Sequence, residues 1–209
     1  MKNYKETIET WNKIAKLYQD KFMHLNLYNT SYDYFIDSIQ KHKASILDVG
    51  CGPGNITKYL LTKRPDYIVQ GIDAATNMIE LAKHNNPTAN FKVMDGRHMR
   101  ELKINYDGIV CGFCLPYLSE DEVVKLISDA HYLLHNDGLL YLSFVEGDYE
   151  KSGFQTGSSG DRLYFYYYSI YHLRKAFTDI GFTELKSFTF NYNKSDNTDE
   201  SHRVLILKK

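Results

Sequence analysis

Apolar and polar positions along the chain follow two periods. Over residues 4–23, YKETIETWNKIAKLYQDKFM, the side chains of Ile8, Trp11, Ile14, Ala15, Tyr18 and Phe22 recur at three- and four-residue steps, which predicts a helix with one apolar face. A second helix is expected at about 31–41, with Tyr34, Phe35 and Ile39 inward. From residue 44 the pattern changes. Short, nearly continuous apolar runs, ASILDVG (44–50), YIVQGID (67–73), NFKVMD (90–95), YDGIVCG (106–112) and GLLYLSFVE (138–146), read as buried strands. Between them, ITKYLLTKR (56–64), ATNMIELAKHN (75–85) and SEDEVVKLISDAHYLLH (119–135) read as helices, the last opened by Ser119 with Glu122 three residues on, a capping box. Strands of this kind alternating with helices imply a mostly parallel sheet covered on both faces, an α/β three-layer sandwich.

Beyond Glu146 the alternation stops. Residues 147–161, GDYEKSGFQTGSSGD, predict a Gly/Ser-rich loop. SIYHLRKAFTDIGF then predicts a helix ending near Gly181. TELKSFTFNYN and HRVLILKK predict two strands joined by KSDNTDES, a turn short enough for a hairpin, so the last strand should run antiparallel to its neighbour.

The chain has 209 residues and shows no linker or repeat, so one domain over 1–209 is expected, with 1–42 a helical cap and 146–170 a substrate-side loop. Its net charge of −1 disfavours a nucleic-acid protein that works through a strongly basic face. No apolar run approaches the roughly 18 residues of a membrane span, and MKNYKETIETW lacks the apolar core of a secretory signal. Three cysteines without such a signal suit free thiols in a reducing, cytoplasmic setting. No pattern speaks to an oligomeric state. The 18 tyrosines are an excess that either lines a pocket or reflects compositional bias.

The candidate chemistry starts at residues 46–54, ILDVGCGPG. The first strand runs into glycines at alternate positions, Gly50, Gly52 and Gly54, and a helix follows. In a parallel sheet, ligands bind beyond the carboxyl ends of the strands, and side-chain-free backbone there admits a ligand closely. The second strand ends in Asp73, placed to accept hydrogen bonds from the two hydroxyls of a ribose, or to cap the next helix, or both. Two ribose-bearing ligands then compete. A dinucleotide fingerprint reads Gly-x-Gly-x-x-Gly with pyrophosphate on the helix N-terminus. Here the spacing is Gly-x-Gly-x-Gly, and Asp48 lies two residues ahead of it. That carboxylate repels a pyrophosphate and suits a ligand carrying an ammonium and a sulfonium.

Asp48-Val49-Gly50-Cys51-Gly52-Pro53-Gly54 resembles the first motif of the class I, Rossmann-like S-adenosylmethionine-dependent methyltransferases. The resemblance runs on through GIDAATNMIELAK, VMDGRHM, YDGIVCGFCLPYL and LLHNDGLLYLS, covering about residues 44–145, and the N-terminal WNKIAKLYQDKF is similar to the cap of the small-molecule branch. It implies a seven-stranded sheet of order 3-2-1-4-5-7-6 with strand 7 antiparallel. It also implies roles by position. Gly50, Gly52 and the Cys51 backbone lie against the methionine part of S-adenosyl-L-methionine, with Asp48 orienting its ammonium. Asp73 holds the ribose, and Ala74 and Met78 flank the adenine. Asp95 accepts from the adenine amino group, with the Gly96 backbone alongside, unless Asp95 is only a turn carboxylate before that glycine. The Cys111 and Gly112 backbone supports the methionine end, and Tyr18 closes over the ligand.

Methyl transfer from a sulfonium is an in-line displacement that needs alignment above all. A base is required only for a protonated acceptor, and the candidates are Glu146, at the end of the fifth strand, and His24, at the end of the cap helix. No metal cluster is expected. Cys114-Leu115-Pro116-Tyr117 lacks the polar residue and first proline of the motif common in nucleic-acid amino-methylating enzymes, so a small-molecule acceptor is expected and nucleic acid is not. LYFYYYS (163–169) as an extended segment puts Tyr164, Tyr166 and Tyr168 on one face. With Tyr18, Phe22, Tyr28 and Tyr117 these form an aromatic pocket wall for a flat or cationic molecule, or else core packing. The Cys-x-x-Cys at 111–114 follows a strand, not a helix start, and is not read as a redox pair. Cys51 and Cys111 are expected side by side at the ligand, their alkylation blocked by it. The rival readings are a non-catalytic S-adenosylmethionine-binding or sensing module and a nucleotide-linked oxidoreductase. The product expected of the first reading is S-adenosyl-L-homocysteine.

Overall fold

The computed structural model describes residues 2–157, 160–194 and 198–209. Helices α1 (Lys2–Phe22) and α2 (Asn29–Asp37) precede the alternating β1 (Ser45–Val49), α3 (Asn55–Lys63), β2 (Ile68–Asp73), α4 (Thr76–Asn85), β3 (Asn90–Val93), β4 (Tyr106–Cys111), α5 (Glu120–Leu133) and β5 (Leu134–Val145). The chain ends with β6 (Gly153–Thr156), β7 (Arg162–Phe165), α6 (Ile170–Ile180), β8 (Thr183–Asn193) and β9 (Asp199–Lys208).

Seven strands form one sheet in the order β3-β2-β1-β4-β5-β9-β8. Pairing is parallel from β3 to β5, and β9 runs antiparallel to both β5 and β8. This is the 3-2-1-4-5-7-6 arrangement. The last two strands carry higher numbers because β6 and β7, a separate antiparallel hairpin, come before them.

Strand alternation assigns the two faces. Ile46 packs with Phe35 and Ile36 of α2 and Leu60 of α3, while Leu47 packs with Leu126, Ile127 and Ala130 of α5. β1 is therefore buried on both sides, as its apolar run requires, and its carboxyl end opens toward α1. The capping box opens α5 as expected: the Ser119 N–H donates to Glu122 Oε2 at 2.8 Å.

Three expectations change. The second helix stops at Asp37 instead of about 41. The fifth strand begins at Leu134 instead of 138 and takes in Asn136-Asp137-Gly138; its pairing with β4 slips between Tyr106 and Gly108, and Asp137 takes φ +65°. The segment read as a loop over 147–161 is mostly the β6–β7 hairpin with a 3₁₀ turn at Tyr149–Lys151; Ser158 and Ser159 lie outside the described residues. Its glycines and serines mask a two-residue period, and the Phe154–Tyr164 edge-to-face pair holds the strands together. The hairpin is strapped to α1: the Thr10 hydroxyl donates to the Arg162 carbonyl at 3.0 Å, and the Tyr164 N–H donates to Thr7 Oγ1 at 3.1 Å. Among the described residues no helix is long and apolar enough to cross a membrane.

Candidate functional site

The turn after β1 is shaped by its glycines. Gly50 has φ +66°, and a Cβ on it would stand 2.9 Å from Cys114 Cβ. Gly52 has φ +53° and faces the Tyr18 ring, whose Cε1 would lie 3.7 Å from an added Cβ. Backbone therefore floors an open cleft of about 830 Å³ at the carboxyl ends of β1 and β2. Asp73, Ala74 and Met78 form one wall, Gly96 and Gly112 contribute further backbone, and Trp11 and Tyr18 of α1 close the top.

Asp73 holds the turn and faces the cleft at once. Its Oδ2 accepts from the Gly52 N–H at 2.9 Å and its Oδ1 from the Ala75 N–H at 2.8 Å. Each oxygen keeps a second lone pair, which is what two adjacent ribose hydroxyls need. The N-cap residue of α4 is Ala75, so helix capping does not use Asp73. Burial, and the nearby Asp95 charge, raise the Asp73 pKa, although the two N–H bonds work the other way.

Asp48 is buried behind the turn and lines no cleft. Its Oδ2 accepts from the Thr57 hydroxyl at 2.7 Å, and its Oδ1 is buried with no hydrogen-bond partner. Burial pushes this carboxyl up to about 6, helped by the Asp73 charge and opposed by Thr57. A buried acceptor without a donor, a pair of raised carboxyls and a bare backbone floor fit a ligand with a ribose and a positively charged tail.

Asp95 is held by side chains around it. Its Oδ1 accepts from the Tyr4 hydroxyl at 2.9 Å and the Arg97 N–H at 2.9 Å, and the Arg97 guanidinium grips both oxygens. Arg97 also bonds Glu122 at 2.7 Å and lies 3.5 Å over the Tyr4 ring. This cluster pins α1 to the sheet, and Asp95 caps the 3₁₀ turn that begins at Gly96. Despite its burial, the hydrogen bonds from Arg97 hold Asp95 below the usual carboxylate range. Its stabilising effect is present above the unfolded value of roughly 4 and is lost as pH falls through the lower folded value. Asp95→Asn should therefore lower Tm at pH 7, with the gap to wild type narrowing as the pH falls below about 4 in a thermal melt series.

The cysteines are also corrected. Cys51 packs with Ile79, Ala82 and Phe91, whereas Cys111 sits in the core under α5 beside Cys114. Cys51 borders a cleft, while Cys111 borders none. Burial raises both thiols well above the ordinary range, so neither offers a reactive thiolate for ligand protection to report on.

A second open cleft of about 940 Å³ adjoins the first. The two share Trp11, Tyr18, Gly50, Gly52, Gly112, Phe113 and Tyr117. Phe22 and Tyr117 line it as expected. Tyr164 and Tyr166 do not: strand alternation turns Phe165 toward the cleft, while Tyr166 stacks on Tyr149 at 5.8 Å and Tyr164 meets Phe154. Glu146 is turned away from the cleft and pairs with Arg203 of β9. His24 is exposed on a separate depression beside Asn29 and Lys58. Neither candidate base reaches the clefts.

Sequence reading missed Glu200 and His202 on β9, both of which line the second cleft. His202 is buried, with Nδ1 2.6 Å from the Tyr28 hydroxyl and Nε2 3.4 Å from Glu200 Oε2. The signal was the period of β9. Counting back by twos from Ile206 and Val204, which face the α2–α3 side, reaches His202 and Glu200.

Sheet order, glycine turn and strand-end carboxylate together define the Rossmann-like fold of the class I methyltransferases. Residues 46–138 match the family model described as a methyltransferase domain. Two curated relatives agree. A protein of Invertebrate iridescent virus 6 named as a methyltransferase is 35% identical over 113 residues, 54% of this chain and 40% of that protein. The malonyl-[acyl-carrier protein] O-methyltransferase of Acetivibrio thermocellus is 34% identical over 119 residues, 55% of this chain and 40% of that protein. The chain thus spans less than half the length of either. Among solved structures, a SAM-dependent methyltransferase of Methanosarcina mazei superposes with a TM-score of 0.71 at 20% identity, covering 83% of this chain and 96% of that one.

Proposed function

We propose that the chain transfers a methyl group from S-adenosyl-L-methionine, held in the first cleft, to a small molecule held in the second. The observation that carries this reading is the shared boundary. Gly50, Gly52, Gly112 and Phe113 border both clefts, so a donor and an acceptor meet across side-chain-poor backbone, as in-line displacement requires. The donor supplies an electrophilic methyl on a sulfonium. Asp73 takes the ribose, Ala74 and Met78 flank the adenine with the Gly96 backbone, and the turn from Gly50 to Gly52 receives the amino-acid tail. Tyr18 and Trp11 cover the junction and keep water out.

The aromatic lining of the second cleft, with no Lys or Arg among the described residues that line it, favours a small-molecule acceptor over nucleic acid. Free thiols and a net charge of −1 suit a cytoplasmic protein. A metabolite screen in the presence of the methyl donor tests the reading directly. Appearance of S-adenosyl-L-homocysteine with at least one acceptor supports it, whereas donor binding with no turnover across the screen would favour the sensing module.

The carboxyls give the binding a pH signature. Asp48, pushed up to about 6, is partly protonated in mild acid, Asp73 is shifted in the same direction, and a cationic ligand favours the ionised forms. Affinity for S-adenosyl-L-methionine should therefore rise as pH increases through about 6 and level off above 7, with proton release near pH 6 seen by calorimetry in two buffers. A flat profile from pH 5 to 7.5 would contradict the placement of the positive tail near Asp48.

A further inference from the structure

We propose that the second cleft seats a cationic amine, the methyl acceptor of the reaction proposed above and dependent on that reading, and that Tyr28, His202 and Glu200 relay away the proton this amine must lose.

Charge and walls select the ligand. Glu200 is the single carboxylate among the described residues lining this cleft, and no Lys or Arg is among them. The walls are aromatic rings, including Trp11, Tyr18, Phe22, Phe113 and Tyr192, whose negative faces attract a cation. Lys194 lies 3.1 Å from Glu200 but does not line the cleft. An anionic acceptor would thus meet a carboxylate and no counter-charge, at a cost in desolvation. The acceptor cleft departs here from what a malonyl thioester carboxylate would need.

The relay follows from hydrogen-bond direction. Glu200 Oε2, 3.4 Å from His202 Nε2, can only accept, which puts the ring proton on Nε2 and leaves Nδ1 to accept from the Tyr28 hydroxyl at 2.6 Å. Tyr192 stacks on the imidazole at 5.0 Å and Phe113 packs against it at 4.9 Å, so the ring cannot turn freely. The titratable and charged groups facing His202 are therefore Tyr28, Tyr192 and Glu200, with Lys194 behind the carboxylate.

An ammonium has no lone pair and cannot attack a methyl group. When one of its N–H bonds breaks, the proton goes to Tyr28 Oη as the tyrosine's own proton passes to Nδ1. The electron pair of the broken bond stays on nitrogen as the nucleophile. One positive charge has moved from the amine to His202, where Glu200 offsets it, and the proton later leaves to water. Burial raises the Tyr28 pKa, so the phenol passes a proton on without remaining ionised.

The test uses three probes of similar shape, phenethylamine, phenethyl alcohol and hydrocinnamate, titrated by calorimetry into the full chain with and without S-adenosyl-L-homocysteine. The amine should bind at least about tenfold tighter than the other two. Glu200→Gln should remove that preference and leave S-adenosyl-L-homocysteine affinity unchanged. In ¹⁵N spectra of the imidazole, His202 should show the Nε2–H tautomer, and its Nδ1 signal should shift when the amine binds against the Tyr28 hydroxyl. Tyr28→Phe should keep the amine and lose that shift. Carboxylate binding as tight as the amine, no amine binding, an unaltered Glu200→Gln variant or an unmoved His202 signal would each overturn the proposal. The homocysteine titration separates the two readings. Its failure alongside amine binding removes only the first-cleft assignment, and its success without an amine preference removes only the acceptor assignment.

Discussion

Asp73→Ala is expected to weaken binding of S-adenosyl-L-methionine by about 1–3 kcal/mol, roughly five- to 150-fold in Kd. Two losses combine. The ribose hydroxyls lose a charged acceptor in a buried site, where an unpaired polar group costs most. The Gly52 and Ala75 N–H groups also lose their acceptor, at 2.9 and 2.8 Å, so the turn that floors the cleft is no longer tied to β2. Asp73→Asn separates the two, because its single carbonyl oxygen can still take one of those N–H groups while its NH₂ opposes the other. It should fall between wild type and Ala. Isothermal titration with S-adenosyl-L-homocysteine reads both. Unchanged affinity in the Ala variant would remove the ribose from β2.

Gly50→Ala should cost about 2–5 kcal/mol of stability. A side chain at φ +66° costs roughly 1–2 kcal/mol, and a Cβ 2.9 Å from Cys114 Cβ adds an overpacking cost of about 1–3 kcal/mol. The clash is with an atom bound directly to backbone, so no rotamer change relieves it. Cys114→Gly in the same chain removes the crowding but not the backbone strain, and should restore part of the loss. Urea denaturation of the single and double variants measures both parts. A single variant within about 0.5 kcal/mol of wild type would show that the turn relaxes, and the rigid floor would be lost with it.

How much of this was legible in the sequence depends on how far apart the partners lie along the chain. β1, α3 and β2 were readable because burial on both faces forces continuous apolar runs, and the glycines mark the turn in the one place a parallel sheet opens to ligand. Ser119 and Glu122 were readable because a capping box is local. The acceptor side was not, because it is assembled from distant segments. His202 meets Tyr28 across 174 positions, and no local pattern announces such a contact. Glu146 looked like a cleft residue because it ends β5, but Arg203 on the adjoining antiparallel strand captures it. Tyr164 and Tyr166 were placed on the correct common face of an extended segment, and only the hairpin's docking on α1 decides that Phe165 points inward. Asp95 shows the same limit. Its position after β3 was readable, whereas its partners Arg97 and Tyr4, one two residues on and the other in the N-terminal helix, were not.

The family model covers residues 46–138, the donor half of the molecule. Glu200, His202, Tyr28 and Phe165 all lie outside it. The second cleft thus draws on α1, the loop to α2, the hairpin and the β8–β9 pair as well as on residues inside the matched span.

The most direct measurement is a crystal structure with S-adenosyl-L-homocysteine. The account predicts the ribose hydroxyls on the Asp73 carboxylate, the amino-acid tail along Gly50 to Gly52, and the sulfur turned toward the boundary with the second cleft near Gly112 and Phe113. Density for the ligand in the second cleft, or away from Asp73 altogether, would contradict it.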